Sequence, residues 1–466
     1  MTAGEQHDPV NEYEREPVPQ RALLGLKNYV GQFAGEHVAG TELMIGPLFL
    51  ASGVSAFDFI FGLLVGNLLA VLSWTFFTAP IATRARLTLY FQLEKICGRR
   101  LVMLYNLANG VMFTILAGAM ITVSATALGV YFKFSMPELT DTLPTGAGWV
   151  VAVLATGVLF SVVAAYGYRF VSRFANIASP WMVLVFVAFG IIGLRQMGLK
   201  SAGDFWRVAS TVIWTGGAPQ PGQIKFTFWH VMFFAWFCNM AWHIGMADLS
   251  VLRYARKPWY GLASASGMYI GHFMAWIAAS VLYAVQLHQD PANTAVLPGP
   301  LAYRACGVAG LLAVVAAGWT TANPTLYRAG LAFQSLIPHS SRFKVTVITG
   351  LLASVTAVFP IVTMRLLGFV AIWGMILMPM GAVIFMDFWV LPKLGLRSNF
   401  AAVSATQFNW AAGLAWMLTI AVCTGLVLTH RTQIFFVSLP GWFVTSLLYV
   451  GLSKLFQGRA VQSTIA

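Results

Sequence analysis

NYVGQFAGEHVAGTELMIGPLFLASG occupies residues 28–53. Its length suits a membrane crossing, which takes about 20 predominantly apolar residues as a helix. Its content does not suit an ordinary one. Gly31, Gly35, Gly40, Gly46 and Pro47 alternate with Gln32, Glu36, His37, Thr41 and Glu42. Glycine at this density weakens a helix, and ionisable groups are costly in lipid. Gln32, Glu36 and Gly40 share one face at i, i+4 spacing. The stretch reads as an unwound helix lining a cavity, with Glu36 or His37 binding a cation or carrying a proton. The alternative is a polar contact between helices, or a later start that leaves Glu36 at the interface.

The rest of the chain supports a membrane setting. Of 466 residues, 58% are hydrophobic and 9% charged. A soluble domain carries about 25% charge, so a soluble globular fold is excluded. Twelve apolar segments of helical length can be read, near 28–53, 56–81, 101–132, 148–166, 174–195, 226–247, 259–285, 302–332, 343–362, 366–390, 411–429 and 433–456. The third and eighth exceed the bilayer core and should tilt or project. None shows the strict alternation of a barrel strand. The reading is an all-α polytopic membrane protein with twelve transmembrane helices.

The net charge of +13 could suggest nucleic acid. Its distribution argues otherwise. With the N-terminus inside, the inner segments hold 19 Lys and Arg and the outer loops 7. Arg304 and Arg328 are assigned to the ends of a span. This bias puts both termini in the cytoplasm, with no nucleic-acid partner and lipid as the surrounding one. Residues 1–27 are acidic and read as a disordered tail, with no visible signal peptide. Residues 28–195 hold five spans, 196–225 a Gly- and Pro-rich outer linker, 226–390 five more, 391–456 two, and 457–466 a cytoplasmic tail. Five plus five plus two is the plan of an inverted-repeat transporter whose first and sixth spans are broken at the midplane.

Polar groups inside the later spans are few. The sixth, FTFWHVMFFAWFCNMAWHIGMADLSVLRYARK (226–257), places Trp236, Asn239, Trp242 and His243 together. Aromatic faces with an amide could stack and hydrogen-bond a flat heterocycle; Trp236 and Trp242 could equally be packing residues. Asp248 with Arg253 reads as a clamp on the helix end. The eighth, AAGWTTANPTLYRAG (316–330), brings Thr320 and Thr321 beside Asn323 and Pro324. Hydroxyl and carbonyl oxygens are the hard ligands an alkali cation needs, although membrane Ser and Thr often bond their own backbone. In the third, Asn109 and Phe113 share a face; interhelical hydrogen bonding is the alternative for Asn109. No Walker loop, GxSxG elbow or HExxH motif is present. Cys97, Cys238, Cys306 and Cys423 form no CxxC pair.

Five stretches, in order along the chain, resemble the purine/cytosine permeases of the nucleobase–cation symporter family. They are EYEREPVPQ (12–20), MADLSVLRYAR (246–256), GWTTANPTLYRAGLAF (318–333), FMDFWVLPK (385–393) and NWAAGLAWMLT (409–419). The resemblance implies a LeuT-type five-plus-five inverted repeat with two added helices. It implies a sodium site of first-span carbonyls near Val38 to Thr41, Ala39 among them, with Ala317, Thr320 and Thr321. It places the substrate between the first, third, sixth and eighth spans, which hold Gln32, Glu36, Asn109, Phe113, Trp236, Asn239, Trp242 and Asn323. The chain departs from the family pattern in three places. The third span has no Trp, and Phe113 is the nearest substitute. Cys238–Asn239 stand where a Gly-Trp pair is common. Glu36 and Glu42 enter a span that is usually free of acids, which leaves room for proton coupling.

The resulting expectation is a symporter of the cell (inner) membrane. It would import a small planar nitrogen heterocycle with Na⁺ or H⁺, without a cofactor, in an oligomeric state that can be monomeric. The rivals are an amino-acid or other metabolite symporter on the same fold, a membrane enzyme using Glu36 and His37 as acid and base, and a receptor.

Overall fold

The computed structural model describes residues 12–138, 141–337, 339–364 and 366–463. Among them, helices carry the fold and pairing of extended backbone is limited to two isolated bridges. Among the described residues, nine helices are long and apolar enough to cross a membrane. Ile177 is 80% exposed and Leu447 76%. Large apolar side chains standing this far out suit a lipid-facing surface rather than water.

The first expected span is two helices, α1 (Leu26–His37) and α2 (Glu42–Ala51). It is followed by α3 (Ala56–Ala85), the short α4 (Leu89–Cys97) and α5 (Arg99–Phe132). Then come α6 (Ala147–Ala165) and α7 (Tyr168–Gln196). The sixth expected span is again divided, into α8 (Phe228–Phe237) and the single turn α9 (Leu249–Leu252). The chain continues through α10 (Pro258–Gln289), α11 (Pro298–Leu336) and α12 (Arg342–Ala357). It ends with α13 (Leu366–Trp389), α14 (Trp410–Leu428) and α15 (Ile434–Ser463). α5, one of the two expected to exceed the bilayer, has 34 residues, whereas the 39 residues of α11 are interrupted by a kink at Cys306 (φ −133°, ψ 15°) and Gly307 (φ 57°, ψ −138°).

The packing repeats itself with the halves exchanged. α2 lies against α10, and α8 lies against α3. α5 pairs with α11, and α6 with α12. Two interleaved five-helix units of opposite orientation give this pattern. The last two helices pack on each other and on α13, where the Tyr449 hydroxyl donates to Asp387 at 2.9 Å.

The two ends of the bundle differ. At one, the 196–225 linker folds back over the helix ends. Ala56 N donates to Trp214 O at 2.8 Å, and Gln220 N to Ala51 O at 2.7 Å. At the other, the basic loops converge on the N-terminal segment, and here the expectation of a disordered 1–27 tail is corrected from Glu12 onward. Tyr168 N donates to the Glu12 carboxylate at 2.6 Å. Arg253 donates to Tyr13 O at 2.6 Å and to Glu12 O at 2.7 Å. Arg15 pairs with Glu94 at 2.7 Å. Two of the tail acids, Glu12 and Glu14, lie 3.8 and 3.5 Å from the Arg342 guanidinium. Arg253 is therefore a clamp on this segment and not on Asp248.

Candidate functional site

The first span breaks after His37. Val38 leaves the helix at φ −87°, ψ 60°, and helix resumes only at Glu42. A helix end leaves carbonyls without partners, and two of these find neighbours on other spans. Glu36 O accepts from the Thr321 hydroxyl at 2.9 Å. His37 O faces Gly271 of α10, where a Cβ would lie 2.6 Å from it, so only glycine fits. The sixth span breaks similarly. Residues 238–248 form irregular turns, with Met246 at φ 63°. Ile244 O lies against Gly381 of α13, where a Cβ would sit 1.9 Å away.

Between the breaks is a small cavity of about 50 Å³. That is room for a few waters. Of the residues expected to bind substrate, Glu36, Asn239 and Trp242 line it. Of those expected at the sodium site, Ala39 and Thr321 line it. Leu116, Met120, Cys238 and His272 join them, together with His37 and Glu42.

The other expected residues are placed elsewhere. Gln32 donates to Glu36 at 3.2 Å and acts through it. Phe113 stands behind the wall, edge-on to Trp242 with ring centroids 5.6 Å apart. Asn109 donates to the Tyr90 hydroxyl at 3.2 Å, away from the cavity. Trp236 donates to Ser73 at 3.0 Å and stacks on Phe237, a packing role. Asn323 is fully buried outside the lining, its amide without a partner among the described residues.

Glu36 belongs to a buried ionic network. Arg328 Nη1 donates to Glu36 Oε1 at 2.6 Å and Nη2 to Oε2 at 3.3 Å. The same Nη2 donates to Asp248 Oδ1 at 2.5 Å. Trp242 Nε1 donates to Glu36 at 3.2 Å, and Trp74 Nε1 to Asp248 at 2.6 Å. Arg328 and Asp248 are each 0% exposed. Sequence reasoning missed this use of Arg328 by assigning it to a span end. The available signal was its spacing, seven residues after Thr321 and so near the same helix face. The network joins α1 to α3, α11 and the sixth-span turn.

Oxygen atoms gather about two turns before Arg328 on α11. Thr321 Oγ1 lies 2.9 Å from both Glu36 O and Ala317 O, and Thr320 Oγ1 lies 3.1 Å from Ala317 O. These are hard donors from two spans, of the kind an alkali cation takes. The first-span carbonyl facing Thr321 is that of Glu36. Ala39 O instead accepts from Glu42 N at 3.1 Å, within the break.

A second polar group lies across the cavity. Glu42 opens α2, and its carboxylate accepts from Trp276 Nε1. Its other oxygen is 3.6 Å from His272 Nε2.

The chain matches no protein-family model and no curated protein sequence. Its likeness is to solved structures. It superposes on Mhp1, a nucleobase-cation-symport-1 family transporter, in a closed conformation with bromovinylhydantoin bound. That match has a TM-score of 0.71 at 16% identity and covers 97% of this chain and 96% of that one. The fold is the LeuT-type inverted repeat. A Na⁺-coupled sialic acid symporter in a substrate-bound outward-open state gives a TM-score of 0.65 at 15% identity, over 92% of this chain and 89% of that one. Mhp1 in its inward-facing conformation gives 0.64 at 15% identity, over 96% of both.

Proposed function

We propose that this chain is a cation-coupled secondary transporter that carries a small, planar, nitrogen-containing solute inward by alternating access. The observation that carries the reading is the cavity between two broken helices, walled by Trp242 and Asn239 and bordered by the Thr321 oxygens. An indole face and an amide suit a flat ring with hydrogen-bonding edges. Mhp1, the neighbour with bromovinylhydantoin bound, carries a ligand of that kind.

The acidic lining disfavours an anionic solute. Glu36 and Glu42 both border the cavity, and the Arg328 guanidinium is already engaged by Glu36 and Asp248. An amino-acid or other carboxylate symporter would want a free cation there. The coupling cation would sit among Glu36 O, Ala317 O, Thr320 and Thr321, and would hold α1 to α11. Residues 28–195 and 226–390 would be the two repeats. The positive-inside bias supports a cytoplasmic location for both termini in a cell membrane.

The test is uptake into proteoliposomes of a panel of pyrimidines, purines, hydantoins and amino acids, with sodium and pH gradients imposed separately. Gradient-driven accumulation of a heterocycle supports the reading. Product formation without a gradient would favour an enzyme, and preference for an amino acid would favour the rival symporter.

A further inference from the structure

The Glu42–His272 pair is not needed for the sodium-type oxygens or for the Arg328 network, yet both side chains line the cavity. Each is 3% exposed. They belong to different spans, α2 and α10, and approach to 3.6 Å between Oε1 and Nε2. Trp276 holds the pair from behind. Its indole N–H donates to Glu42, and its ring stacks on His272 with centroids 4.3 Å apart at 16°. Asn239 Nδ2 lies 3.4 Å from His272 Nε2, and His272 Nδ1 has no hydrogen-bond partner among the described residues.

The surroundings supply no counter-charge. Among the described residues, no Lys or Arg lines the cavity. From α1, Glu36 is engaged by Arg328, and the His37 ring lies 4.9 Å from that of His272. His37 Nδ1 is 2.8 Å from Phe33 O, so its proton is fixed on that nitrogen. From the sixth span, Cys238 faces the cavity, and His243 points away with Nε2 2.9 Å from Trp236 O. From α5, Leu116 and Met120 are apolar, and from α11, Thr321 and Thr325 are neutral. On α10 itself, Tyr269 donates to Leu64 O and leaves the pair alone.

An ionised Glu42 facing a neutral imidazole would be an unpaired buried charge, which is expensive. One proton removes that cost. It can reside on the carboxyl or on the imidazole, and the pair is neutral overall in both cases. The position of Glu42 at the first residue of α2 stabilises its ionised form once water enters, because a helix N-terminus favours negative charge.

We propose that Glu42 and His272 form a proton-binding site on the cavity wall, separate from the oxygens around Thr321. The proton is taken from water on one side and released to water on the other, and no bond other than O–H or N–H changes. This rests on the transporter reading for its role in coupling, but not for the binding of the proton itself.

Two measurements separate those parts. In detergent, the tryptophan fluorescence of the full chain is titrated against pH with no solute, using Trp276 as the reporter. Wild type and Glu36→Gln should show a reversible transition that Glu42→Gln and His272→Gln lose. In proteoliposomes, the best-transported member of the pyrimidine, purine and hydantoin panel is followed under an inward gradient of one pH unit. At one proton per solute this gradient supports about tenfold accumulation. Glu42→Gln should lose that accumulation, and Glu42→Asp, which keeps the ionisable group, should retain it. A fluorescence transition surviving in either variant, or pH-driven accumulation surviving in Glu42→Gln, overturns the proposal. If Glu42→Gln does not fold, His272→Gln and Glu42→Asp carry the test, the latter keeping the transition. Absence of any uptake by wild type would refute the transporter reading and leave the proton site to the fluorescence arm.

Discussion

Arg328→Met should destabilise the protein more than any single change to its partners. The guanidinium makes contacts of 2.6 and 3.3 Å to Glu36 and 2.5 Å to Asp248. All three groups are buried. One positive charge thus serves two carboxylates, and removing it leaves both uncompensated. Breaking a buried ion pair by deleting one member costs about 3–5 kcal/mol. The neutral donors that remain, Gln32, Trp242 and Trp74, are already bonded to these carboxylates and offer nothing new. Glu36→Gln should cost much less, since it removes a charge that is in excess and leaves Arg328 with Asp248. The triple change Arg328→Met, Glu36→Gln, Asp248→Asn should recover most of the loss, because balanced removal of a buried ionic group is often neutral. The assay is the rate of unfolding in detergent at one temperature, followed by loss of the monodisperse peak. A loss of about 3 kcal/mol, if expressed in that rate, is roughly a hundredfold. Arg328→Met with wild-type kinetics, or a triple variant no better than the single one, would refute the reasoning.

Thr321→Ala removes the hydroxyl that joins Glu36 O to Ala317 O. It should raise the sodium concentration for half-maximal uptake by about tenfold, on the order of one lost hydrogen-bond-strength contact; an unchanged sodium response would remove Thr321 from the cation site. Trp242→Ala should weaken solute affinity at least about tenfold through loss of the aromatic wall. Trp236→Ala, bonded to Ser73 and outside the lining, should leave affinity unchanged, and equal effects in a binding assay would show that neither contacts the solute. Gly271→Val places a side chain against His37 O and should cost about 1–3 kcal/mol by overpacking. A variant as thermally stable as wild type would mean that the first-span break is not fixed by α10.

The helical architecture was legible because it rests on apolar length, which a sequence displays directly. The breaks in the first and sixth spans followed from the five-plus-five count, and for the first from its glycines. The tail was misread because acids in a polar segment look solvated until their partners are known, and Arg342, Arg253 and Tyr168 come from distant parts of the chain. The site was half legible. Trp242, Asn239, Glu36 and Thr321 reach the cavity because polar groups in lipid-facing lengths of helix must turn inward. Asn109 and Asn323 obey the same rule without reaching it, since the interior has more than one place to put an amide. Arg328 was hidden because it was assigned to the end of a span and set aside from the charge count. His272 was hidden because a single imidazole carries no pattern. Its meaning comes from Glu42, more than two hundred residues away in the chain.

The charge around the cavity constrains how the two cation sites can work together. Glu36 and Asp248 against Arg328 leave one negative charge uncompensated, and an ionised Glu42 would add another. Both sites meet at the first-span break. The Thr321 oxygens hold its α1 edge through Glu36 O, and the His272 imidazole faces its α2 edge at Glu42. Residues 38–41 are the only chain between them, and they are not helical. A cation at the α1 edge would favour the geometry in which α1 stays docked on α11. A proton at the α2 edge would remove the cost of enclosing Glu42. Each would therefore stabilise the closed cavity in which the other binds, and linkage requires the two affinities to rise by the same factor. A sodium titration of the fluorescence transition tests this directly. Sodium should raise the apparent proton affinity of wild type and leave that of Thr321→Ala unmoved, whereas the same shift in both would place the coupling outside the break.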